Sequence, residues 1–420
     1  MNPPYTRQER LPAGRKEAAG VLGRRAGLHA HFLVRLAECI RPGGWIGAIT
    51  SATWLAADFG RGLRAFLLQR FRIHHLITFD ADVFPDAVVE ACVVILEKRP
   101  GPDEAALRAE TPVRFIRLNA GSDLCRAARD AAGREGSGSG PGYRLRVVAQ
   151  GELRTESRWD HFFTAPDCHA RVADAPGLVP LAALAAIRRG ITTGDNRAFL
   201  PDGAAIARWG IEGRHLRPFL RSPREIPGLD TAGVARPGVL LLPPGEEEGE
   251  TRAAAYLRAQ GVSGSAYLPR ELPASAPLLF GYAVRARKAF FLNGARLLAG
   301  DNFFCLTPRR AEDLPVLFAL LNAAPAALLL ELQGRAQGRG LLKIQRYELA
   351  GLRVADPSGL DAGLRRDLAS LGEALRAEPS SEDVRAALDE AAARALGLDA
   401  GEIRRAEREL AEARNARRPL

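Results

Sequence analysis

Residues 28–96 constrain the fold more tightly than any other part of the chain. Residues 28–40 carry Phe32, Leu33, Leu36 and Ile40 at helical spacing, which predicts an amphipathic helix. Pro42-Gly43-Gly44 stops it. Trp45-Ile46-Gly47-Ala48-Ile49 is a short apolar run that reads as a buried strand. Residues 60–71 place Leu63, Phe66, Leu67 and Phe71 on one face of a second helix. Residues 73–79 and 91–96 are rich in β-branched side chains, with a turn containing Pro85-Asp86 between them, and read as two strands. The order is helix, strand, helix, strand, strand. Its βαβ portion predicts a parallel sheet, and its last pair predicts a hairpin at the edge of that sheet.

Beyond this segment the organisation is looser. Residues 119–142 read as a linker, because Gly-Ser-Gly-Ser-Gly-Pro-Gly over 136–142 is flexible by composition. Residues 143–355 are short strands and loops punctuated by Gly and Pro, expected to form a mixed α/β domain. Within them, residues 245–250 read as a solvated acidic turn. Residues 356–420 are helical in pattern, rich in Ala, Leu, Glu and Arg. The first domain is then 1–118. A prior of one domain per ~150 residues agrees with two or three domains in 420 residues.

The formal net charge of +10 favours an anionic partner, nucleic acid or membrane. Arginine supplies nearly all the positive charge, since the lysines are Lys16, Lys98, Lys288 and Lys343 alone. With abundant Ala and Gly, that bias is also what a GC-rich genome produces. Cys39, Cys92, Cys125, Cys168 and Cys305 form no CxxC pair. A zinc site and a disulfide framework are not expected, and Cys39 and Cys92 read as small buried hydrophobes. No apolar run reaches the ~18 residues of a membrane span. The N-terminal charges precede no apolar core, so a cytoplasmic location is expected.

The chain opens Met1-Asn2-Pro3-Pro4-Tyr5. Two prolines fix φ and remove two N–H donors while leaving their carbonyls as acceptors. An exocyclic amine on a purine is a poor nucleophile, because its lone pair is delocalised into the ring. Accepting both amine hydrogens, at the Asn2 side-chain oxygen and the Pro3 carbonyl, favours the tetrahedral nitrogen that attacks a methyl group. Tyr5 is suited to stack on the base that carries the amine, once that base has left the duplex. The same tetrapeptide also reads as a proline turn before a helix.

The segments that follow the tetrapeptide give it a context. Residues 2 to about 98 resemble the second half of the class I adenine-N6 DNA methyltransferases of the TaqI and type IIG restriction-modification kind. Asn2-Pro3-Pro4-Tyr5 matches their catalytic motif. Phe32-Leu33-Val34-Arg35-Leu36, then Pro42-Gly43-Gly44-Trp45-Ile46-Gly47-Ala48-Ile49-Thr50, is similar to their next helix and strand. Gly60-Arg61-Gly62-Leu63-Arg64 is similar to the helix after it. Val83-Phe84-Pro85-Asp86-Ala87, leading into Ala91-Cys92-Val93-Val94-Ile95-Leu96, is similar to their late motif. The resemblance implies that Phe84 packs against the flipped adenine; by itself Phe84 also reads as a core aromatic at a turn.

Two later stretches extend the resemblance to a target recognition domain. Arg189-Gly190-Ile191-Thr192-Thr193-Gly194-Asp195-Asn196-Arg197-Ala198-Phe199 resembles its opening, and Gly338-Arg339-Gly340-Leu341-Leu342-Lys343-Ile344 its closing segment. On this reading Arg188, Arg189, Thr192, Thr193, Asn196, Arg339 and Lys343 are candidate contacts to double-stranded DNA. The cations serve phosphates, which position without specifying. The alternatives are solvated surface charge for each cation, and a loop whose glycines hold domain shape for the Gly-Ile-Thr-Thr-Gly stretch.

The implied fold class is therefore α/β, a partial Rossmann-like methyltransferase sheet followed by a mixed α/β target recognition domain and a helical C-terminal segment. The implied methyl donor is S-adenosylmethionine. In the resembling enzymes its site lies at the carboxyl ends of the first strands, beside a Gly-containing loop and an acidic residue. Here those elements do not precede the tetrapeptide, and Gly43-Gly44 leads into a strand rather than following one. The expectation is a truncated or split enzyme. Its central sheet would keep about three strands, with residues 45–49 left as an exposed apolar edge. The donor-binding half would then be a separate chain, an upstream part of the same gene, or lost. Two other readings stay open: a DNA-binding specificity module or relic without catalysis, and a protein-glutamine methyltransferase. The release-factor enzymes of the last class share Asn-Pro-Pro-Tyr but are compact, with no large region after the sheet.

Overall fold

The computed structural model describes residues 1–4, 22, 26–80, 84, 90–98, 109–156, 158–164, 168–234, 238–242, 250–262, 274–285, 288–337 and 341–416. The chain divides into two compact units, Met1–Ala165 and Pro166–Leu420.

The first unit is built on one mixed sheet. Its strands are β1 (Trp45–Ser51), β2 (Phe71–Phe79), β3 (Ala91–Lys98), β4 (Pro112–Leu118), β5 (Gly138–Gly140) and β6 (Tyr143–Ala149). They lie in the order β1-β3-β2-β4-β6-β5. The helices Leu28–Cys39 and Arg61–Arg70 fall where periodicity places them. In the second, Leu63, Phe66 and Leu67 are buried, and Phe71 beyond it is buried too. In the first, the buried stripe is His29, Ala30, Leu33, Val34 and Ala37, while Phe32 is 44% exposed. Phe32 is thus corrected to the solvent side of its helix. Cys92 is buried as expected, and burial pushes its thiol up to about 12, but Cys39 is exposed.

Three features of this sheet differ from expectation. First, β1 and β2 are not neighbours. β3 lies between them, antiparallel to both, with Ala48 opposite Val94 on one side and Leu76 opposite Val94 on the other. The pair β2–β3 is a hairpin, but an interior one. A strand with no charged residue from Ala91 to Leu96 loses most by standing at an edge. Second, among the described residues the sheet has six strands rather than three, because β4 adds parallel to β2, β6 antiparallel to β4 and β5 antiparallel to β6.

Third, the expected linker is folded. Residues 119–142 contain the helix Leu124–Ala132, whose start is capped by Asp123 accepting from the Arg126 N–H, and the short strand β5. Ala127 and Ala131 of that helix pack with Ile116, Leu118, Tyr143 and Leu145 in a small core. Gly142 adopts φ +86°, and a Cβ there would lie 2.6 Å from the Ser122 Cβ. Glycine at this position is therefore a requirement of a tight turn, not a sign of disorder. β6, assigned from sequence to the second region, belongs to the first sheet.

Beneath β1 lies a buried, hydrogen-bonded floor. Thr50 is fully buried, its hydroxyl donating to the Cys92 carbonyl (3.2 Å) and accepting from the Trp54 indole N–H (3.2 Å). Trp54 meets Trp159 edge-to-face at 5.8 Å. Arg64, 2% exposed, donates to the Trp54 carbonyl at 2.6 Å and the Thr155 carbonyl at 3.0 Å. Carbonyl acceptors make burial of that charge tolerable.

The second unit carries short strands: β7 (Leu178–Pro180), β8 (Ala185–Arg189), β9 (Leu216–Leu220), β10 (Gly238–Leu240), β11 (Leu278–Gly281), β12 (Ala283–Val284), β13 (Phe290–Leu292), β14 (Leu298–Ala299), β15 (Phe303–Pro308), β16 (Arg335–Gln337), β17 (Leu341–Lys343) and β18 (Arg353–Ala355). The largest sheet is β13-β11-β15-β8, around which β10-β9-β14, β12-β17-β16 and β18-β7 are smaller sheets. Phe280 and Phe290 stack at 4.3 Å in its core. The apolar helices Leu314–Asn322 and Ala324–Gln333 pack against the C-terminal helices Ala362–Ala377, Glu382–Arg394 and Ala400–Ala416. Lys288 lies between Glu331 and Glu407, 3.0 Å from each, which neutralises a buried ammonium. Among the described residues no single helix is long and apolar enough to cross a membrane. The acidic turn at 245–250 falls largely outside the described residues.

Candidate functional site

The tetrapeptide is held by the backbone of Met1. The Met1 amino group donates to the Gly47 carbonyl at 2.5 Å, and the Ile49 N–H donates to the Met1 carbonyl at 3.0 Å. One residue bracketed by two on its neighbour is the parallel-strand pattern. Met1 therefore lies on the outer edge of β1, and Asn2 and Pro3 follow beside the carboxyl end of that strand. Pro3 is buried, while Asn2 and Pro4 are exposed. The buried ring fixes the backbone, and the exposed amide keeps its oxygen available as an acceptor. Tyr5 lies outside the described residues.

The connection that carries Phe84 belongs to the same end of the sheet. β1 and β2 both run opposite to β3, with Ser51 opposite Ala91 and Thr78 opposite Cys92. Asp80 and Glu90, the described ends of the connection from Phe79 to Ala91, thus lie at the carboxyl end of these strands, and the Ala52 N–H closes this end by donating to the Glu90 carbonyl at 2.7 Å. Phe84 is half-buried; Val83, Pro85, Asp86 and Ala87 lie outside the described residues. The topology brings the polar motif and the two ends of the connection that carries Phe84 to one end of the sheet, although 81 positions of sequence separate Pro3 from Phe84.

The described residues do not form a pocket for S-adenosylmethionine. Such a pocket requires a strand-to-helix turn whose helix N-terminus is open to the ligand. After β1 the turn leads into the short helix Thr53–Ala56, which buries Trp54 and Leu55. After β4 the Asp123 carboxylate already caps the helix that follows.

In the second unit, the predicted DNA contacts separate into distinct environments. Arg188 and Arg189 are adjacent in β8, so their side chains leave opposite faces. Arg188 donates to the Ala274 carbonyl. Arg189 is exposed, donates from Nε to the Asp301 carbonyl at 2.9 Å, and sets its guanidinium 4.7 Å from the centre of the Tyr282 ring. Lys343, at the end of β17, sets its ammonium 5.5 Å from the same ring. Arg339 lies outside the described residues.

Thr192 is exposed, but Thr193 is 6% exposed and its hydroxyl donates to the Asn196 side-chain oxygen at 2.7 Å. Asp195 caps the helix that Asn196 begins, accepting from the Arg197 N–H. Thr193 thus orients the Asn196 amide rather than facing solvent, and Asp195 is half-buried at the helix start. Gly190 is a close backbone approach: the Gly190 N–H donates to the Phe303 carbonyl and the Ile191 N–H to the Ala299 carbonyl. Sequence reasoning passed over Met1 and Tyr282. No spacing rule connects Tyr282 to Arg189 or Lys343, because strand pairing alone brings them together.

Residues 1–84 match the family model described as Eco57I restriction-modification methylase. That span contains both Asn2-Pro3-Pro4-Tyr5 and Phe84. The chain is related to the type II restriction-modification methyltransferases. Type II methyltransferase M.BanIII of Aneurinibacillus aneurinilyticus is 31% identical over 121 residues, which is 28% of this chain and 20% of that protein. Type II methyltransferase M.XamI of Xanthomonas campestris pv. amaranthicola is 23% identical over 393 residues, covering 86% of this chain and 68% of that one. This chain thus spans a fifth of the length of M.BanIII. Among solved structures, the type IIL restriction-modification enzyme MmeI in complex with DNA is similar over 98% of this chain and 53% of its own, at 14% identity and a TM-score of 0.49.

Proposed function

We propose that this chain carries the target-base half of a site-specific adenine-N6 DNA methyltransferase, with the donor-binding half supplied by a segment outside this sequence. The observation that carries the reading is the anchoring of Asn2-Pro3-Pro4 at the carboxyl end of the sheet, where the connection that carries Phe84 begins and ends. The Asn2 side-chain oxygen and the Pro3 carbonyl accept the two amine hydrogens of an extruded adenine, directing its nitrogen lone pair outward. Phe84 and Tyr5 hold the base by stacking, worth roughly 1–3 kcal/mol for one base on one aromatic. Arg188, Arg189, Thr192, Asn196, Arg339 and Lys343 are candidate contacts to duplex DNA. S-adenosylmethionine, when bound by the donor-binding half, supplies the methyl group.

The outer edge of β1 supports the division of labour. Among the described residues, Met1 pairs with that edge at Gly47 and Ile49, and Trp45 at its start is 56% exposed.

Calorimetry with S-adenosylmethionine, with and without duplex DNA, tests the reading. The expected result is duplex binding with no donor binding by this chain alone. Micromolar donor binding by the chain alone would overturn the division into halves. In the enzyme reconstituted with the donor-binding half, Asn2→Ala is expected to abolish methyl transfer with little loss of DNA binding; unchanged turnover would remove Asn2 from its role. Duplex binding without methylation in the reconstituted enzyme would identify a binding module instead. Methylation of a protein but not of DNA would identify a glutamine methyltransferase.

A further inference from the structure

Several cations in the second unit are already neutralised by carboxylates. Lys288 pairs with Glu331 and Glu407, Arg365 with Asp313, Arg376 with Asp230 and Glu373, Arg310 with Glu312 and Asp313. Arg189 and Lys343 differ. Among the described residues neither is paired with a carboxylate, yet both lie over one aromatic ring, at 4.7 Å and 5.5 Å from its centre.

The backbone that carries the ring is held on both sides. The Tyr282 N–H donates to the Asn302 carbonyl at 3.0 Å, and its carbonyl accepts from the Ile344 N–H at 2.9 Å. It sits between β11 and β12, and β12 pairs with β17 so that Ala283 faces Lys343. β15 pairs with β8 so that Phe304 faces Arg189. The ladders thus deliver the two cations to Tyr282 from two different strands, β8 and β17. The Arg189 guanidinium is further fixed at Nε by the Asp301 carbonyl, which leaves its terminal nitrogens out of that bond.

Two positive charges over one ring repel each other, and the ring's negative face offsets only part of that repulsion. An anion seated against both cations removes the remainder. A guanidinium offers a planar fork and an ammonium a point charge, and a phosphate oxygen pair accepts from both. We infer that Arg189, Tyr282 and Lys343 form one phosphate clamp on the DNA backbone, in which Tyr282 is a positioning residue that holds the two cations together. The inference rests on the DNA-binding reading above and adds to it the identity of a contact that joins the two resembling stretches into one site.

Binding of a mixed-sequence duplex, titrated from about 50 to about 200 mM salt, tests this. Each of Arg189→Gln and Lys343→Gln is expected to shallow the salt dependence by about one counterion. Tyr282→Leu is expected to weaken binding roughly threefold to tenfold, while Tyr282→Phe, which keeps the ring, binds as wild type. In the Arg189→Gln/Lys343→Gln background, Tyr282→Leu should have no further effect on binding. Thermal melting of each variant separates loss of the contact from loss of the fold. A wild-type chain that does not bind duplex DNA overturns the functional reading and the clamp with it. Wild-type binding with unchanged salt slopes in both cation variants overturns the clamp alone. Inhibition of wild-type binding by inorganic phosphate at millimolar concentration, lost in the double variant, is expected; equal inhibition in both would place the anion elsewhere.

Discussion

Replacing Gly190 by alanine is a severe test of the fold proposed for the second unit. A Cβ there would lie 2.0 Å from the Gly300 carbonyl oxygen and 2.5 Å from that of Ala299. Both obstacles are backbone. Ordinary contact begins at 3.4 Å, so the facing strand would have to retreat by about 1.4 Å. The bonds at stake are Gly190 N–H to the Phe303 carbonyl at 2.9 Å and Ile191 N–H to the Ala299 carbonyl at 2.8 Å. Such a retreat takes both past bonding distance. Two backbone hydrogen bonds at about 1 kcal/mol each, added to an overpacking cost of ~1–3 kcal/mol, give a destabilisation of about 3–5 kcal/mol. Urea unfolding of the full chain, followed by a probe of the second unit, measures it. Gly203→Ala is the control, because nothing lies within 4 Å of its Cβ; it should be neutral or mildly stabilising at the start of its helix. A Gly190→Ala variant within about 0.5 kcal/mol of wild type would refute the close approach and the β8–β15 register with it.

The remaining predictions concern buried titratable groups. His29 is 4% exposed and its Nε2 has no hydrogen-bond partner among the described residues; burial, with His31 nearby, lowers its pKa to about 4. The unfolded chain takes up that proton near 6.5, so stability of the first unit should be full above pH 6.5 and fall as pH drops towards 4. The loss amounts to at most ~3 kcal/mol, and His29→Phe should flatten the profile in melting experiments; an unchanged profile would sink the assignment. Asp389 has the opposite sign. Burial raises its pKa to about 6 from 3.8, so its contribution is full below pH 3.8 and lost as pH rises through 6. Asp389→Asn keeps the acceptor for the Ala324 N–H, now 2.7 Å away, and removes the buried charge. It should stabilise the second unit at pH 7 by up to ~3 kcal/mol, read as a rise in Tm that vanishes at pH 4; destabilisation at pH 7 would show that pairing with Arg404 dominates.

What the sequence determined by itself was local. The helices at 28–39 and 61–70, the strands at 45–51, 71–79 and 91–98, and the motif Asn2-Pro3-Pro4 were legible, because periodicity, proline and β-branching act within a few residues. The glycines of 136–142 and of 190–194 were visible, but not their purpose. Composition cannot distinguish a glycine that frees a chain from one that lets another chain segment approach, and Gly142 and Gly190 are of the second kind. The tertiary structure alone decided the long-range order: β3 between β1 and β2, β6 in the first sheet, Met1 on the edge of β1, and Tyr282 under both Arg189 and Lys343. These depend on which backbone edges find each other across tens to hundreds of residues. That choice is made by the burial of whole strand faces rather than by the preference of any one residue.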